Sequence, residues 1–482
     1  MKFSWKVLAS ILLVVVLLLI GQSINLDRIG DNLLAKDPFY HKALTDHTIN
    51  LGKNLFHEPF SATNDKVNYV TLLYNFGAVQ SFLSGVDTLG MFQIMGYFIF
   101  ILMGFLVYVT SVRISGSKIL SVLTMIAFFS IDYLLERTAM NLPENYALLF
   151  IIALLYLLIS KSRFEYILMI LVFHLFFHYR SMIISFSILA LYALVNIKKI
   201  EWRKWVSLYR IGLVLVAVLL SLPVLAGLLN SYWYLIAQYL GFIPAQSVLS
   251  TSGVLYEPLT LREITGELGI VLLSLLPFGV LYLLRNPKNK ESYLFAIPVL
   301  VLLVFVISNL VSSNVPPYRL MSYLAILSVF LFLFALRYFR ERVNYRVLAP
   351  ILILLMVVTF VTATLEPRGW ISFRDEDRTT IGYIETMIPE STIKVSYGLP
   401  YYTFFKNSES DGVFSGQVSY SSNKEEVLGL LKSKYGEDKA AILVVTSSRI
   451  GELRDENPMF FEFMGEYKKF ETSRTIIYEV QF

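Results

Sequence analysis

The sequence predicts a polytopic α-helical membrane protein that ends in a soluble α/β domain. Three observations predict this. Of 482 residues, 56% are hydrophobic and only 16% charged, where a soluble domain carries roughly 25% charged residues. Lysine and arginine gather in alternate loops between long apolar runs. From Glu366 onward charge becomes frequent and the apolar runs shorten to strand length.

The spans come first. Lipid offers no hydrogen bonds, so an apolar run of about 18 or more residues must satisfy its own backbone as a helix. About eleven segments meet that description, centred roughly on 7–23, 91–112, 119–135, 145–160, 164–178, 181–196, 211–229, 268–284, 293–311, 319–336 and 347–364. Lys2, Arg113, Lys161, Lys198, Arg285 and Arg340 mark the basic loops, which the positive-inside rule assigns to the cytoplasm. The intervening loops carry Asp37, Glu58, Glu136, Glu144, Glu257 and Glu263. Eleven spans beginning inside put the C-terminal tail outside. The net charge of +5 is then explained by topology, and no nucleic-acid partner is implied. Lys2 and Lys6 precede the first apolar run, which reads as a retained anchor or as a cleaved signal peptide. No clear small-residue cleavage site follows it, which favours the anchor. The chain has no cysteine, so disulfides, thiol catalysis and thiolate metal sites are excluded.

Two portions follow from these patterns. Residues 1–365 form the membrane domain, with a long first outer loop (22–90) and a second (230–268). Residues 366–482 form an extracytoplasmic α/β domain, large enough for its own core. In the first loop Tyr40, Leu44, Leu51 and Leu55 make one amphipathic stripe, and Tyr69, Leu72, Leu73, Phe76 and Val79 make another. Both suit helices lying at the interface. In the outer domain, 393–397, 440–445 and 475–480 read as strands. Residues 378–388, and 423–435 closed by Gly436, read as helices.

The candidate site residues stand at the outer ends. Asp37-Pro38 is an ideal helix opening, with Asp as cap and Pro at the first helical position. The same carboxylate lies at the membrane surface with His41 one turn later, a pair able to hold a divalent metal or take an acceptor proton. Glu144 opens the fourth span. It reads either as a capping-box partner of Asn141 or as a second acid for the same cavity. Glu136 and Arg137 can pair with each other. Glu257 precedes Pro258, so its backbone is extended. The capping box ahead of the eighth span uses Thr260 and Glu263, which leaves Glu257 available to a site. His174 and His178, one turn apart in the fifth span, read as packed imidazoles or as metal ligands. Arg180 beside them is a phosphate partner or an interface anchor. Arg319 opens the tenth span from outside, against the positive-inside trend, which asks for an anionic ligand or an outer carboxylate.

In this order along the chain, these residues resemble the membrane-embedded GT-C glycosyltransferases, and among them the catalytic subunit of oligosaccharyltransferase. Asp37-Pro38-Phe39-Tyr40-His41 resembles the first-loop motif, often Asp-x-Tyr-Tyr-His, whose Asp in that family coordinates metal and contacts the acceptor. Glu144 falls where the family has two acids separated by one residue. Val254 to Thr260 is similar to the Thr-Ile-x-Glu loop motif, with Glu257 as its acid. Arg319 resembles an acceptor-touching arginine. The Trp-Trp-Asp-x-Gly motif that reads asparagine sequons has no counterpart: the equivalent-looking stretch, Lys394 to Tyr401, lacks both tryptophans and the Asp. The resemblance implies a GT-C-like fold and a polyprenyl-phosphate-linked sugar as donor. It also implies a glycan, lipid or protein acceptor, and a divalent metal (Mg or Mn) as a possible cofactor on Asp37, His41, Glu144 and Glu257. Asp37 and Glu257 would be catalytic, while Arg319, Arg180, His178 and Tyr40 would bind donor phosphate or acceptor. A transporter, of another class, would show charges near mid-span and internal repeats; the charges here cluster at the ends. An inactive scaffold paralogue is the third reading.

Overall fold

The computed structural model describes residues 5–29, 37–52, 72–178, 181–196, 259–286, 293–307, 317–342, 350–352, 354–359, 361, 375–397, 408–409, 421, 423–436, 440–446, 454, 458–472 and 475–481. The chain forms two compact units. The first comprises Met1–Gly30, Gln93–Phe242 and Val254–Arg368; the second comprises Asp31–Phe92, Ile243–Gly253 and Gly369–Phe482.

The first unit is helical. Its elements are α1 (Trp5–Ile29), most of α4 (Thr88–Ser115), α5 (Lys118–Phe129), α6 (Asp132–Ala139), α7 (Pro143–Ile159), α8 (Phe164–His178) and α9 (Met182–Asn196). Then come α10 (Leu261–Leu268), α11 (Ile270–Arg285), α12 (Tyr293–Ile307) and α13 (Pro317–Arg342). Among the described residues, α4 and the Leu320–Arg342 stretch of α13 are each long and apolar enough to cross a membrane. Two bent pairs raise the number to as many as four: α5 with α6, turned by 63°, and α10 with α11, turned by 96°. The remaining expected spans fall on shorter apolar helices, except 211–229, which lies outside the described residues.

The core helix is α13. Every residue from Leu324 to Ala335 is buried, with α5, α11 and α12 packed around it. A hydrocarbon solvent gives no hydrophobic drive between helices, so close backbone approach has to supply the packing. Gly279 of α11 provides it: a Cβ there would collide with the Leu331 carbonyl of α13. The two helices run parallel from that point. Tyr282 stacks on Phe334 at 6.2 Å between ring centroids, and Arg285 reaches Tyr338. The sharp bend between α10 and α11 sits at Gly269, whose φ of +83° suits a residue without a Cβ.

The second unit pairs a helical hairpin with a mixed sheet. The hairpin is α2 (Asp37–Leu51) on α3 (Leu72–Ser84). The sheet holds β1 (Ile393–Tyr397), β2 (Ser408–Glu409), β3 (Ala440–Thr446), β4 (Lys468–Glu471) and β5 (Thr475–Gln481), in the order β2-β1-β3-β5-β4. Strand β1 runs parallel to β2 and β3, and β5 runs antiparallel to β3 and β4. Alternation along β3 sends Ala441, Leu443 and Val445 to one face, against Val427 and Leu431 of α15 (Lys424–Tyr435) and Phe460 of α16 (Pro458–Phe463). Ile442 and Val444 go to the other face, with Ile384 and Ile388 at the end of α14 (Asp375–Met387) and Phe92 at the start of α4. The three long strands and both long helices match the sequence expectation to within a few residues. Strands β2 and β4 and helix α16 were not expected. One has two residues, and Lys-Lys-Phe-Glu is a charged edge strand whose pattern carries no alternation.

The packing argument makes a direct prediction. Gly279→Ala should lower the stability of the purified full chain by about 1–3 kcal/mol, because a helix backbone must move. Gly266→Ala, where a Cβ meets nothing within 4 Å, should be neutral or stabilising by up to about 1 kcal/mol. Thermal unfolding in detergent distinguishes the two.

Candidate functional site

In the second unit, α2 opens at Asp37 with Pro38 buried behind it; the Asp37 side chain lies outside the described set. One turn on, His41 is buried, 6% exposed, and its Nδ1 stands 3.3 Å from the Tyr74 hydroxyl of α3. Tyr40 is half-buried and meets the His41 ring edge-on at 5.5 Å. The hairpin closes tightly here, since a Cβ on Gly77 would sit 3.2 Å from the Thr45 methyl. Asp46 then fixes the approach to α4. It accepts from Lys42 Nζ at 2.7 Å and from the Thr88 hydroxyl. His41 is therefore held in orientation by Tyr74, a neighbour 33 residues away in sequence. Tyr74 shares the buried face of α3 with Gly77 and with Leu73 of the expected stripe, whereas Phe76 and Val79 of that stripe are exposed.

In the first unit, Glu144 sits in the first turn of α7, 7% exposed. Its Oε2 accepts a hydrogen bond from Arg137 Nη2 at 2.7 Å, with the two side chains 16% and 9% exposed. This corrects two expectations. Arg137 pairs with Glu144, not with its neighbour Glu136. The N-cap of α7 is Leu142, not Asn141, and the cap makes no side-chain bond. Asn141 instead turns the chain in the left-handed region, φ +48°, and its Oδ1 accepts from the Tyr146 hydroxyl at 3.3 Å. Asn145 locks the same turn by donating to the Arg137 and Thr138 carbonyls at 3.1 and 3.2 Å. The second carboxylate oxygen of Glu144, Oε1, is buried with no partner among the described residues.

Other polar groups surround this pair. Tyr133 on α6 faces the Ser322 side chain of α13 and lies in the field of Arg137, Glu144 and Glu267. Glu267, half-buried on α10, feels Glu136 and Glu263. Thr260 and Glu263 form the expected capping box, with the Glu263 carboxylate accepting from Thr260 N and from its hydroxyl, both at 2.7 Å. Those bonds to the charged form hold Glu263 below its ordinary carboxylate value. The beginnings of α7, α10 and α13 thus meet at one end of the unit. Arg319 lies in the first turn of α13, three residues before Ser322. Its side chain, with Glu257 and Arg180, lies outside the described residues. Tyr133, Glu267 and Ser322 carry no sequence signal of their own, and Arg137 was expected only as a partner of Glu136. Only tertiary contact between α6, α10 and α13 brings them together.

The histidines of α8 hold a helical turn. His174 is fully buried and engages Ser185 Oγ at 2.9 Å and Ser181 Oγ at 2.6 Å. His178 Nδ1 stands 2.9 Å from the same Ser181 Oγ, which donates to the His178 carbonyl. Of the two sequence readings, packed imidazoles account for these contacts.

Among the described residues no group of three or more His, Asp or Glu could hold a metal ion. Glu144 offers only Oε1, and the guanidinium on Oε2 already supplies its counter-charge. A divalent ion there would face Arg137, so the described donors do not fit one.

No family model matches the sequence, and no curated protein matches it. Solved structures do match. The archaeal oligosaccharyltransferase AglB from Archaeoglobus fulgidus, in complex with an inhibitory peptide and a dolichol-phosphate, aligns with TM-score 0.66 and 12% identity over 92% of this chain and 70% of that one. ArnT from Cupriavidus metallidurans, bound to undecaprenyl phosphate, aligns with TM-score 0.62 and 12% identity over 98% of each chain. The mycobacterial arabinofuranosyltransferase AftD aligns with TM-score 0.54 and 11% identity over 93% of this chain and 35% of that one. The chain has the GT-C fold of membrane-embedded glycosyltransferases.

Ser181→Ala should cost about 1–3 kcal/mol of stability by leaving the buried His174 nitrogen unpaired. Ser187→Ala, which removes only an exposed bond to the Ile183 carbonyl, should change it by less than about 0.5 kcal/mol. Thermal unfolding of both variants checks the difference.

Proposed function

We propose that this chain is a glycosyltransferase that moves a sugar or oligosaccharide from a polyprenyl-phosphate-linked donor to an acceptor at the extracytoplasmic membrane face. The observation that carries the reading is the shared fold of two neighbours that each hold a polyprenyl phosphate, AglB with dolichol-phosphate and ArnT with undecaprenyl phosphate. A single-sugar transferase acting on a lipid-linked glycan or surface polymer is the second reading. Its support is the fold shared with ArnT, which aligns over 98% of each chain.

In this proposal the N-terminus is cytoplasmic, about eleven spans cross the bilayer, and the domain of residues 366–482 stands outside. The donor enters from the lipid with its tail between spans. Arg319 or Arg180 holds the phosphate, because a guanidinium binds phosphate oxygens bidentately. Asp37 takes the proton of the acceptor nucleophile, with Glu257 as the second acid. His41, held by Tyr74, keeps its orientation one turn from Asp37. His178 and Tyr40 would contact donor or acceptor. Glu144, paired with Arg137, shapes the charge at the outer end of the membrane unit. No step is assigned to a metal.

The test offers purified protein a panel of polyprenyl-linked sugars. Asp37→Asn and Glu257→Gln should each lower turnover at least a hundredfold, the scale of a lost general base. Equal turnover by wild type and both variants would remove these two acids from the mechanism.

A further inference from the structure

The end of the first unit where α11 and α13 stop carries Arg285, Arg337, Arg340 and Arg342. Cations at helix C-termini offset the dipole, and alternate basic loops set topology. Neither effect requires the arrangement seen here. Arg285 and Arg342, from different helices, both lie over the ring of Tyr338, at 5.7 and 4.8 Å from its centroid. Arg337 lies 5.8 Å over Tyr282. Stacking on tyrosine preorganises a guanidinium while leaving its edge N–H groups free to donate. Among the described residues no carboxylate forms an ion pair with any of the four. The nearby Glu341 is engaged by the Tyr282 hydroxyl. Just before Arg285, Leu281 and Leu284 are 41% and 64% exposed, which sets apolar surface next to the charge.

We infer that this arginine cluster binds the phosphodiester headgroup of an anionic phospholipid, with the acyl chains along Leu281 and Leu284. The geometry suits a lipid better than free phosphate, because the apolar strip continues from the charged end. The inference is independent of the activity proposed above.

Purified full chain in detergent is titrated with phosphatidylglycerol, phosphatidylcholine or inorganic phosphate. Thermal unfolding and native mass spectrometry report binding. Phosphatidylglycerol should raise the unfolding temperature and be retained, while phosphatidylcholine and phosphate do neither. Each basic residue near a membrane surface contributes a factor of about five, so Arg285→Gln with Arg342→Gln should weaken phosphatidylglycerol about thirtyfold. If that double variant fails to fold, the exposed Arg340→Gln, which makes no ring contact, should weaken it about fivefold. Unchanged affinity in the variants, or equal binding of phosphatidylcholine, overturns the inference. So does phosphate reproducing the whole shift.

Discussion

The end of the helical unit where α7, α10 and α13 begin depends on one buried ion pair, Arg137 with Glu144. Both charges leave water, which is expensive, and only their mutual attraction and well-made hydrogen bonds offset that cost. The turn between α6 and α7 is built to provide them. Asn141 takes the left-handed conformation and Asn145 satisfies two carbonyls, so the guanidinium and carboxylate meet at 2.7 Å. Without the pair, an acid in the first turn of α7 would face apolar neighbours alone. With it, Tyr133, Ser322 and the acids of α10 can gather around a fixed centre.

The pair also sets what Glu144 can do. The resemblance implied two acids separated by one residue at this position. Here a single acid is matched by a guanidinium on its own unit, and its second oxygen is buried with no partner among the described residues. That pairing leaves the carboxylate already neutralised by the guanidinium, which is a poor start for holding a divalent ion. The other end of the same helices is opposite in character. Because α11 and α13 run parallel and tightly packed, the unit presents acids and a capping box where they begin and arginines stacked on tyrosine where they end.

Much of the fold was legible because its signals are local. Apolar runs between basic loops marked the helices, and alternation marked β1, β3 and β5. Thr260 with Glu263 announced a capping box that the structure contains. The misses share a physical cause. Asn141 three residues before Glu144 looks like a cap in one dimension, yet the turn at Asn141 moves the cap to Leu142. Arg137 beside Glu136 looks like a local pair, yet the better partner lies seven residues on, across a helix break. Tyr74 announces nothing until α3 folds onto α2. Sequence pattern reports periodicity and caps; it does not report which polar groups a tertiary contact will bury together. Asp37 could be placed at a helix opening, while Glu257, Arg180 and the Arg319 side chain fall outside the described residues.

The most direct test of the central interaction is a double-mutant cycle on Arg137 and Glu144, read by equilibrium unfolding of the purified chain. Arg137→Met alone should destabilise by about 3–5 kcal/mol, since it strands a buried carboxylate. Combining it with Glu144→Met should recover much of that loss, giving a coupling above about 2 kcal/mol. Single losses that simply add, within about 0.5 kcal/mol, would mean that the two side chains do not depend on each other and that this end of the protein is organised by something else.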